Sequence, residues 1–270
     1  MCYKRIIRCF LWLSYLLLLI LSGPGFSSAA GDERIIRVGV YDNAPKVFIS
    51  ATGKPAGIFI DIIEEIAGNE GWTLRYVPGT WAQGLDRLQN GKIDLMPDVA
   101  ITQEREDIYS FHREPVMFDW FQVYAKKNHL LRSLVDLDGK KIVFLERSVQ
   151  REVFGRLVEG FGLKTILISM PDYKQAFDMV ARGEADAAIT NRFYGLVNAN
   201  RHGLEDTAII FHPTHLFFAA QKNAPKQLMN AIDKQLMNLK KDTQSIYYNL
   251  SFAVNFLPQM LSNPLIIHAI

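Results

Sequence analysis

The sequence predicts an α/β protein made of two similar lobes, each with a mostly parallel sheet flanked by helices. One module occurs twice: at residues 88–96 and 180–189 an apolar helix is followed by a glycine, two further residues, an aspartate and an apolar strand. Glycine adopts the left-handed conformation that ends many helices, so each copy predicts a helix-to-strand turn. The copies lie about ninety residues apart, beyond the periods of about 20–50 residues typical of solenoids. A cleft between two such lobes is a natural place to hold a small molecule.

Strand and helix patterns alternate in the first part of the chain. Residues 34–40 and 72–77 are rich in apolar, β-branched or aromatic side chains and predict strands. Residues 61–67 place apolar side chains at helical spacing and predict a helix that ends at Gly68. The next predicted elements are a helix with Trp81, Leu85 and Leu88 on one stripe and a strand over residues 93–96.

The same order of elements recurs in the second part. Residues 137–145 predict a turn that leads into a buried strand, and Ser148 is placed to cap the helix that follows. Residues 165–168 predict a strand and residues 173–182 a helix, before the second copy of the module. The apolar positions of the remaining predicted helices are Val149, Val153, Phe154 and Leu157 after Ser148, and Leu228, Ile232, Leu236 and Leu239 near the end.

Two apolar extended stretches, residues 120–125 and 216–220, flank the second part. We interpret them as the two crossings of the chain between lobes, which together act as a hinge. Lobe 1 is then discontinuous, with residues 31–122 and 217–255, and lobe 2 comprises residues 123–216. The alternative is two independent domains joined by one linker, but no Gly/Ser/Pro-rich linker is visible.

Residues 1–30 predict a secretory signal peptide. Three cations precede an apolar run over residues 10–21, and small residues lead up to Ala30, where we expect cleavage. The alternative is an uncleaved anchor helix, but this run is shorter than the about 20 residues that a bilayer span needs. The predicted location is therefore periplasmic or otherwise extracytoplasmic.

Composition excludes several classes of function for the mature chain. Cys2 and Cys9 both lie in the predicted signal, so disulfides, cysteine-ligated metals and cysteine nucleophiles are excluded after export. The leader removes three of the 30 cations, which leaves 27 against 28 acidic residues. A nearly neutral chain is not expected to bind nucleic acid.

The end of the chain is apolar. No Lys, Arg, Asp or Glu occurs over residues 243–270, and prolines interrupt the sequence. We expect residues 256–270 to form an apolar tail that packs against lobe 1, because a bilayer helix would carry fewer breakers and would have flanking cations. The alternative is a membrane-proximal segment of a longer protein.

The order of motifs resembles the type II periplasmic solute-binding proteins, over about residues 34–250. The sequences of several predicted strands and turns are most similar to those of the modules that serve as extracytoplasmic sensors of histidine kinases and diguanylate cyclases. This resemblance implies a two-lobed fold with two hinge crossings. The segments that carry it are residues 36–45, 57–61, Trp81, 91–94, 100–105, 137–140 and 185–191.

The resemblance also implies a set of ligand-binding residues. Arg105 corresponds to the family's receptor for the ligand carboxylate, for which a planar guanidinium is suited because it donates two parallel hydrogen bonds. Tyr41 and Asp42 would face the cleft, and Trp81 would form a stacking wall or else pack in the core. Ser148 and Gln150 lie at a helix start, where free N–H groups can hold an anionic oxygen; for Ser148 a purely structural cap is the alternative.

Three further cleft positions depart from the family pattern. Amino-acid receptors have an aspartate at the position of Asn191, which pairs with the ligand ammonium, whereas an amide is uncharged. Asp98 stands where glycine is frequent, and Ala100 where a threonine hydroxyl is usual. An ordinary α-amino acid is therefore not the expected ligand, unless Asp98 faces the cleft and replaces the missing anion.

The resemblance implies a binding protein rather than an enzyme, with no cofactor, no metal and no catalytic residue. The expected ligand is a small polar or carboxylate-bearing metabolite, and the expected partner is an ABC permease or a membrane signalling protein, with the chain itself a monomer. His212 and His215 lack a third ligand for a metal site. Two alternatives remain open: a dehydratase similar to cyclohexadienyl dehydratase, with Asp42 and Asp98 as its carboxylates, and a module that binds only another protein.

Overall fold

The computed structural model describes residues 34–250, and these residues form a mixed α/β structure with helices flanking a central sheet. The predicted fold class is confirmed. The strands are β1 (Arg34–Val40), β2 (Phe48–Ile49), β3 (Pro55–Ala56), β4 (Trp72–Pro78), β5 (Leu95–Ala100), β6 (Tyr109–Phe111), β7 (Met117–Lys126), β8 (Lys141–Leu145), β9 (Ile166–Met170), β10 (Ala187–Asn191) and β11 (Leu204–Gln221). The α-helices are α1 (Ile58–Glu70), α2 (Trp81–Gln89), α3 (Gln103–Ile108), α4 (Val149–Gly160), α5 (Tyr173–Arg182), α6 (Arg192–Asn198) and α7 (Lys226–Lys241).

The main sheet has parallel strands at both ends and an antiparallel centre. Its order is β4-β1-β5-β11-β7-β10-β8-β9, and β6 also pairs with β11. β1 pairs in parallel with β4 and β5, and β8 pairs in parallel with β9 and β10. β7 and β11 pair antiparallel with each other and contain the two stretches predicted as crossings. The lobe boundaries themselves stay a prediction.

The repeated module has the same backbone hydrogen bond to its aspartate in both copies. Its two glycines have positive φ angles of 65° and 78°. In the first copy, the Asp94 carboxylate accepts a hydrogen bond from the backbone N–H of Arg37 at 2.7 Å. In the second copy, the Asp186 carboxylate accepts one from the backbone N–H of Lys141 at 2.8 Å. Each aspartate therefore joins the start of one strand to the neighbouring parallel strand.

Several predicted boundaries differ from the structure, among them those of the first helix and of the strand over residues 93–96. α1 continues past Gly68 to Glu70 and ends at Gly71, which has φ 68° and donates its N–H to the Ala67 carbonyl. A glycine within a helix costs only about 1 kcal/mol relative to alanine, so Gly68 alone does not end it. The strand predicted over residues 93–96 begins at Leu95 and extends to Ala100.

The core lies between the sheet and the helices. The four apolar positions predicted on the last helix, Leu228, Ile232, Leu236 and Leu239, are all buried in α7. This helix packs on α1, where Gln235 donates a hydrogen bond to Glu70 at 2.5 Å. Some predictions fall outside the described residues. They concern the signal peptide with its two cysteines, the apolar tail over residues 256–270, and the ends of lobe 1 at residues 31–33 and 251–255.

Candidate functional site

A polar cavity lies where the two predicted lobes meet. Its free space, counted together with its opening to solvent, is about 350 Å³. Eight of the nine sequence-predicted ligand residues line it, and Asp42 does not. The lining residues are Tyr41, Lys46, Trp81, Asp98, Ala100, Arg105, Asp119, Phe121, Leu145, Ser148, Val149, Gln150, Tyr173, Asn191 and Leu216.

Asp42 lies outside the cavity because successive side chains of an extended chain point to opposite sides. Tyr41 is buried and faces the cavity, whereas Asp42 is exposed. Asp42 and Tyr41 both border a neighbouring hollow, together with Thr80, Asp172 and Lys174. The role of Asp42 in ligand binding stays a prediction, at this hollow rather than in the cavity.

Asp98 enters the cavity from a bulge in β5. The pairing of β5 with β11 shifts register between Phe217 and Ala219, which leaves an extra residue on β5. At this point Asp98 has φ 64°, in the left-handed region. Aspartate tolerates this region better than most residues do, at a cost of about 1–2 kcal/mol. The bulge explains why a glycine suits this position, and it turns the Asp98 carboxylate inward.

The Asp98 carboxylate is bound by three groups of the protein. The Tyr41 hydroxyl and the Asn43 side-chain amide each donate to its Oδ2 at 2.6 Å. The Lys46 ammonium donates to its Oδ1 at 2.7 Å and to Oδ2 of Asp119 at 3.0 Å. Lys46 is only 2% exposed and Asp119 is fully buried, so the ammonium lies between two carboxylates inside the protein.

Lys46 is held in place by a tight turn and by the start of α1. Its backbone N–H donates to the Asn43 carbonyl at 2.9 Å, and its carbonyl accepts from the Phe59 N–H at 3.0 Å. Gly57, with φ 115°, makes this approach possible, because a Cβ there would lie 2.6 Å from the Lys46 carbonyl oxygen. Gly57, the first residue of the segment 57–61 that carries the family resemblance, therefore also helps to position the Lys46 cation in the cavity.

The electrostatics of this cluster favour the charged form of Lys46. Burial lowers the pKa of Lys46, but the two carboxylates outweigh it and the pKa is raised overall. Burial raises the pKa of Asp119 by more than Lys46 lowers it. Burial also raises the pKa of Tyr173 to about 12, so this phenol is neutral at physiological pH and accepts a hydrogen bond from Gln150 Nε2 at 2.7 Å.

Arg105 keeps donors available beside the cavity. It follows Thr102, whose hydroxyl caps α3 by accepting from the Arg105 N–H at 3.2 Å. Its guanidinium donates to the Ala100 carbonyl at 3.0 Å and to the Arg147 carbonyl at 3.3 Å. A guanidinium has five N–H donors, so these two bonds use only part of its capacity. Burial lowers the pKa of Arg105, but arginine keeps its charge in proteins.

The start of α4 carries two buried oxygens without a partner. Ser148 occupies the N-cap position, yet its hydroxyl makes no capping hydrogen bond. Among the described residues, Ser148 Oγ and Gln150 Oε1 are buried and form no hydrogen bond. Buried polar groups are nearly always paired, so each such oxygen calls for an explanation. A structural cap does not explain Ser148, and both side chains line the cavity.

Three other predicted residues have structural contacts. Trp81 is both a wall and a core residue: it is buried, its ring packs on Tyr41 at 5.0 Å, and its N–H donates to the Arg147 carbonyl at 3.2 Å. Asn191 donates to Asn43 Oδ1 at 2.9 Å and caps α6 through its own Oδ1. Ala100 contributes its carbonyl to Arg105.

Sequence reasoning missed Lys46 and Asp119. Both left a signal: Lys46 directly follows the motif at residues 36–45, and Asp119 is the one charged residue within the apolar stretch 115–125. Across residues 34–250, no three His, Cys, Asp or Glu side chains are grouped closely enough to hold a metal ion. In the same range no helix has the length and apolar character needed to cross a membrane.

An α/β fold with a polar, partly closed cavity between two sets of parallel strands is the architecture expected of a solute-binding protein. The model for bacterial extracellular solute-binding proteins, family 3, matches residues 36–249. The chain belongs to this family.

Three relatives illustrate the range of similar proteins. The chain is 26% identical over 235 residues to the probable amino-acid-binding protein YxeM of Bacillus subtilis strain 168, which covers 84% of this chain and 87% of that protein. A crystal structure of an ancestral amino-acid-binding protein, a precursor of cyclohexadienyl dehydratase, matches with a TM-score of 0.70 and 26% identity, covering 80% and 93% of the two chains. A histidine kinase sensor domain has a TM-score of 0.72 at 22% identity, covering 81% and 94%, which is a likeness of fold.

Proposed function

We propose that this protein captures a small carboxylate-bearing metabolite in the cavity and presents it for sensing or for ABC-type uptake. The observation that carries the proposal is the buried guanidinium of Arg105, 7% exposed, next to the start of α4. The two elements adjoin because Arg105 donates to the carbonyl of Arg147, the residue before Ser148. A carboxylate there would receive hydrogen bonds from a cation and from the helix N-terminus together.

Closure of two lobes over the ligand is part of the proposal, with lobe 1 at residues 31–122 and 217–255 and lobe 2 at residues 123–216. Arg147 supports it, because its guanidinium contacts the Asp86 carboxylate and donates to the Ala82 carbonyl at 3.3 Å. Its own carbonyl accepts from Trp81 and Arg105. These contacts join the segment before α4 to α2 and α3, and they would keep water from the bound solute.

The proposed location is extracytoplasmic, after cleavage near Ala30, in keeping with a family of extracellular solute-binding proteins. The protein is proposed to act as a monomer with a permease or a membrane signalling protein as its partner. The DNA sequence downstream of residue 270 separates these roles, because a spanning helix and signalling domains indicate a sensor, and neighbouring permease genes indicate uptake.

Binding is favoured over catalysis by the positions of the carboxylates. The two candidates for a dehydratase were Asp42 and Asp98, but Asp42 does not line the cavity. Asp98 is bound to Tyr41, Asn43 and Lys46, so it is not free to move a proton. Incubation of the protein with a cyclohexadienyl acid should leave the acid unchanged. Formation of a product would contradict the binding-protein proposal and favour the dehydratase alternative.

A thermal-shift screen with a panel of carboxylates tests the proposal. A ligand at a hundred times its dissociation constant stabilises the protein by about 2.7 kcal/mol. We expect Arg105→Ala to abolish the ligand-induced shift, because it removes the group that binds the carboxylate. Arg75→Ala is the matched control, since Arg75 is exposed on β4. An equal shift in Arg105→Ala and the wild type would remove Arg105 from the site.

A further inference from the structure

We propose that the ligand carries a carboxylate but no α-ammonium group, because Lys46 already places an ammonium inside the cavity. This inference rests on the proposed function and makes its ligand class specific. Inside a protein, the α-ammonium of an amino acid requires an anion that is not already paired at the place where it binds. Such an anion would have to be a carboxylate that lines the cavity.

Asp98 is not available to a ligand ammonium. One of its oxygens accepts from Lys46 at 2.7 Å, and the other accepts from Tyr41 and Asn43, both at 2.6 Å. The residue is 6% exposed. These three bonds leave only one of the about four acceptor sites of the carboxylate open. That site is on Oδ1, which already binds Lys46, so a ligand ammonium there would lie beside another ammonium.

Asp119 is committed in the same way. Its Oδ2 accepts from Lys46 at 3.0 Å, and its Oδ1 accepts from the Trp120 N–H at 2.8 Å. The Arg192 guanidinium also lies 3.7 Å from Oδ1. The side chain is completely buried. Of the carboxylates among the described residues, only Asp98 and Asp119 line the cavity.

The charges around the cavity leave Arg105 without an anion. Lys46 is paired with Asp98, and Arg192, 3.7 Å from Asp119, supplies a second cation for the second carboxylate. A simple carboxylate adds one anion, which pairs with Arg105. A zwitterion would add an ammonium as well, and burying that charge without a counter-ion is costly.

The acceptors that remain suit an uncharged substituent. Gln150 Oε1 and Ser148 Oγ are buried without a partner. A hydroxyl on the carbon next to the carboxylate can donate to the amide oxygen of Gln150, and a keto oxygen can accept from the hydroxyl of Ser148. A 2-hydroxy or 2-oxo acid therefore satisfies groups that the protein leaves open.

Calorimetric titration with matched acids tests this inference. The protein, expressed from its full sequence and purified, is titrated with sets that share one side chain: L-alanine, L-lactate and pyruvate; L-glutamate, 2-hydroxyglutarate and 2-oxoglutarate; L-phenylalanine, phenyllactate and phenylpyruvate. In each set that binds, we expect the hydroxy or oxo acid to bind at least about tenfold more tightly than the amino acid.

The outcomes separate this inference from the proposed function. Equal or tighter binding of the amino acids would overturn the inference while leaving solute capture intact. No binding by any of these acids, or by a wider panel of carboxylates of up to ten carbons, would overturn both. Preference for the hydroxy or oxo acid supports both.

The variant Lys46→Met tests the cause of the preference. Methionine has a similar length but no charge, so the gap between Asp98 and Asp119 becomes free for a ligand ammonium. We expect the preference for the uncharged substituent to fall about tenfold or more, whereas the control Lys54→Met, at an exposed position, should keep it. An unchanged preference in folded Lys46→Met would refute the role of Lys46. If that variant does not fold, the wild-type comparison decides.

Discussion

Removal of the Asp98 side chain tests the buried network together with the strained backbone that carries it. Asp98→Ala leaves Lys46 with one carboxylate instead of two and deprives Tyr41 and Asn43 of an acceptor. Removal of one partner from a buried ion pair costs about 3–5 kcal/mol. The alanine also keeps the strain of φ 64° at this position.

Asp98→Gly makes it possible to separate the two effects. Both variants lose the same carboxylate, but glycine adopts a positive φ without the steric cost of about 1–2 kcal/mol. We therefore expect Asp98→Ala to lower the free energy of unfolding by about 3–5 kcal/mol, and Asp98→Gly to be more stable than Asp98→Ala by about 1 kcal/mol.

Urea unfolding is the assay, followed by tryptophan fluorescence and by far-UV circular dichroism. Coincident transitions are needed for a two-state free energy. The reasoning is refuted if Asp98→Ala costs less than about 1 kcal/mol, a loss typical of an ordinary neutral hydrogen bond. It is refuted equally if the glycine variant is the less stable of the two, because φ at this position would then carry no strain.

Two further predictions concern acid stability and the support of Lys46. Burial raises the pKa of Asp94, but the hydrogen bonds from Arg37 outweigh it and the pKa is lowered overall. The ionised Asp94 carboxylate therefore stabilises the fold above its unfolded pKa of about 3.9. That stabilisation is lost as the pH falls through the pKa of the folded state. Arg37→Gln should therefore flatten the acid side of the stability curve in urea unfolding from about pH 5 to pH 2, and a curve parallel to the wild type would contradict this. Gly57→Ala should lower the free energy of unfolding by about 1–3 kcal/mol and weaken ligand binding, because the new Cβ would push on the carbonyl of Lys46; thermal melts and calorimetry that match the wild type would rule out that support.

Local patterns were sufficient to predict most of the fold. The helix over Tyr173–Arg182 was predicted with both ends correct, because an aspartate cap precedes it and a left-handed glycine follows it. α1 was predicted too short, because Gly68 and Gly71 are both possible ends and only the tertiary contacts select the second. Boundaries of this kind depend on packing rather than on the segment itself.

The candidate site was harder to predict, because its ion pairs join distant parts of the chain. Lys46 and Asp119 are 73 positions apart, and β7 brings them together only once the sheet has formed. The left-handed φ of Asp98 depends on a bulge, which a pattern of apolar residues does not reveal. The exposure of Asp42 beside the buried Tyr41 was hard to predict for a related reason, since one residue decides which side of an extended chain a side chain faces.

The repeated helix-to-strand turn has a consequence for protein engineering. In each copy the aspartate and its strand neighbour also exchange a backbone hydrogen bond in the reverse direction, from Asp94 to Arg37 at 2.8 Å and from Asp186 to Lys141 at 2.9 Å. The turn is thus a joint held by its aspartate and by the backbone. Of the two residues between glycine and aspartate, the first is exposed in both copies, Lys92 and Glu184, and the second is buried, Ile93 and Ala185. Exchange of Lys92 and Glu184 between the copies should therefore leave the fold intact, whereas the second position has to fit its own core.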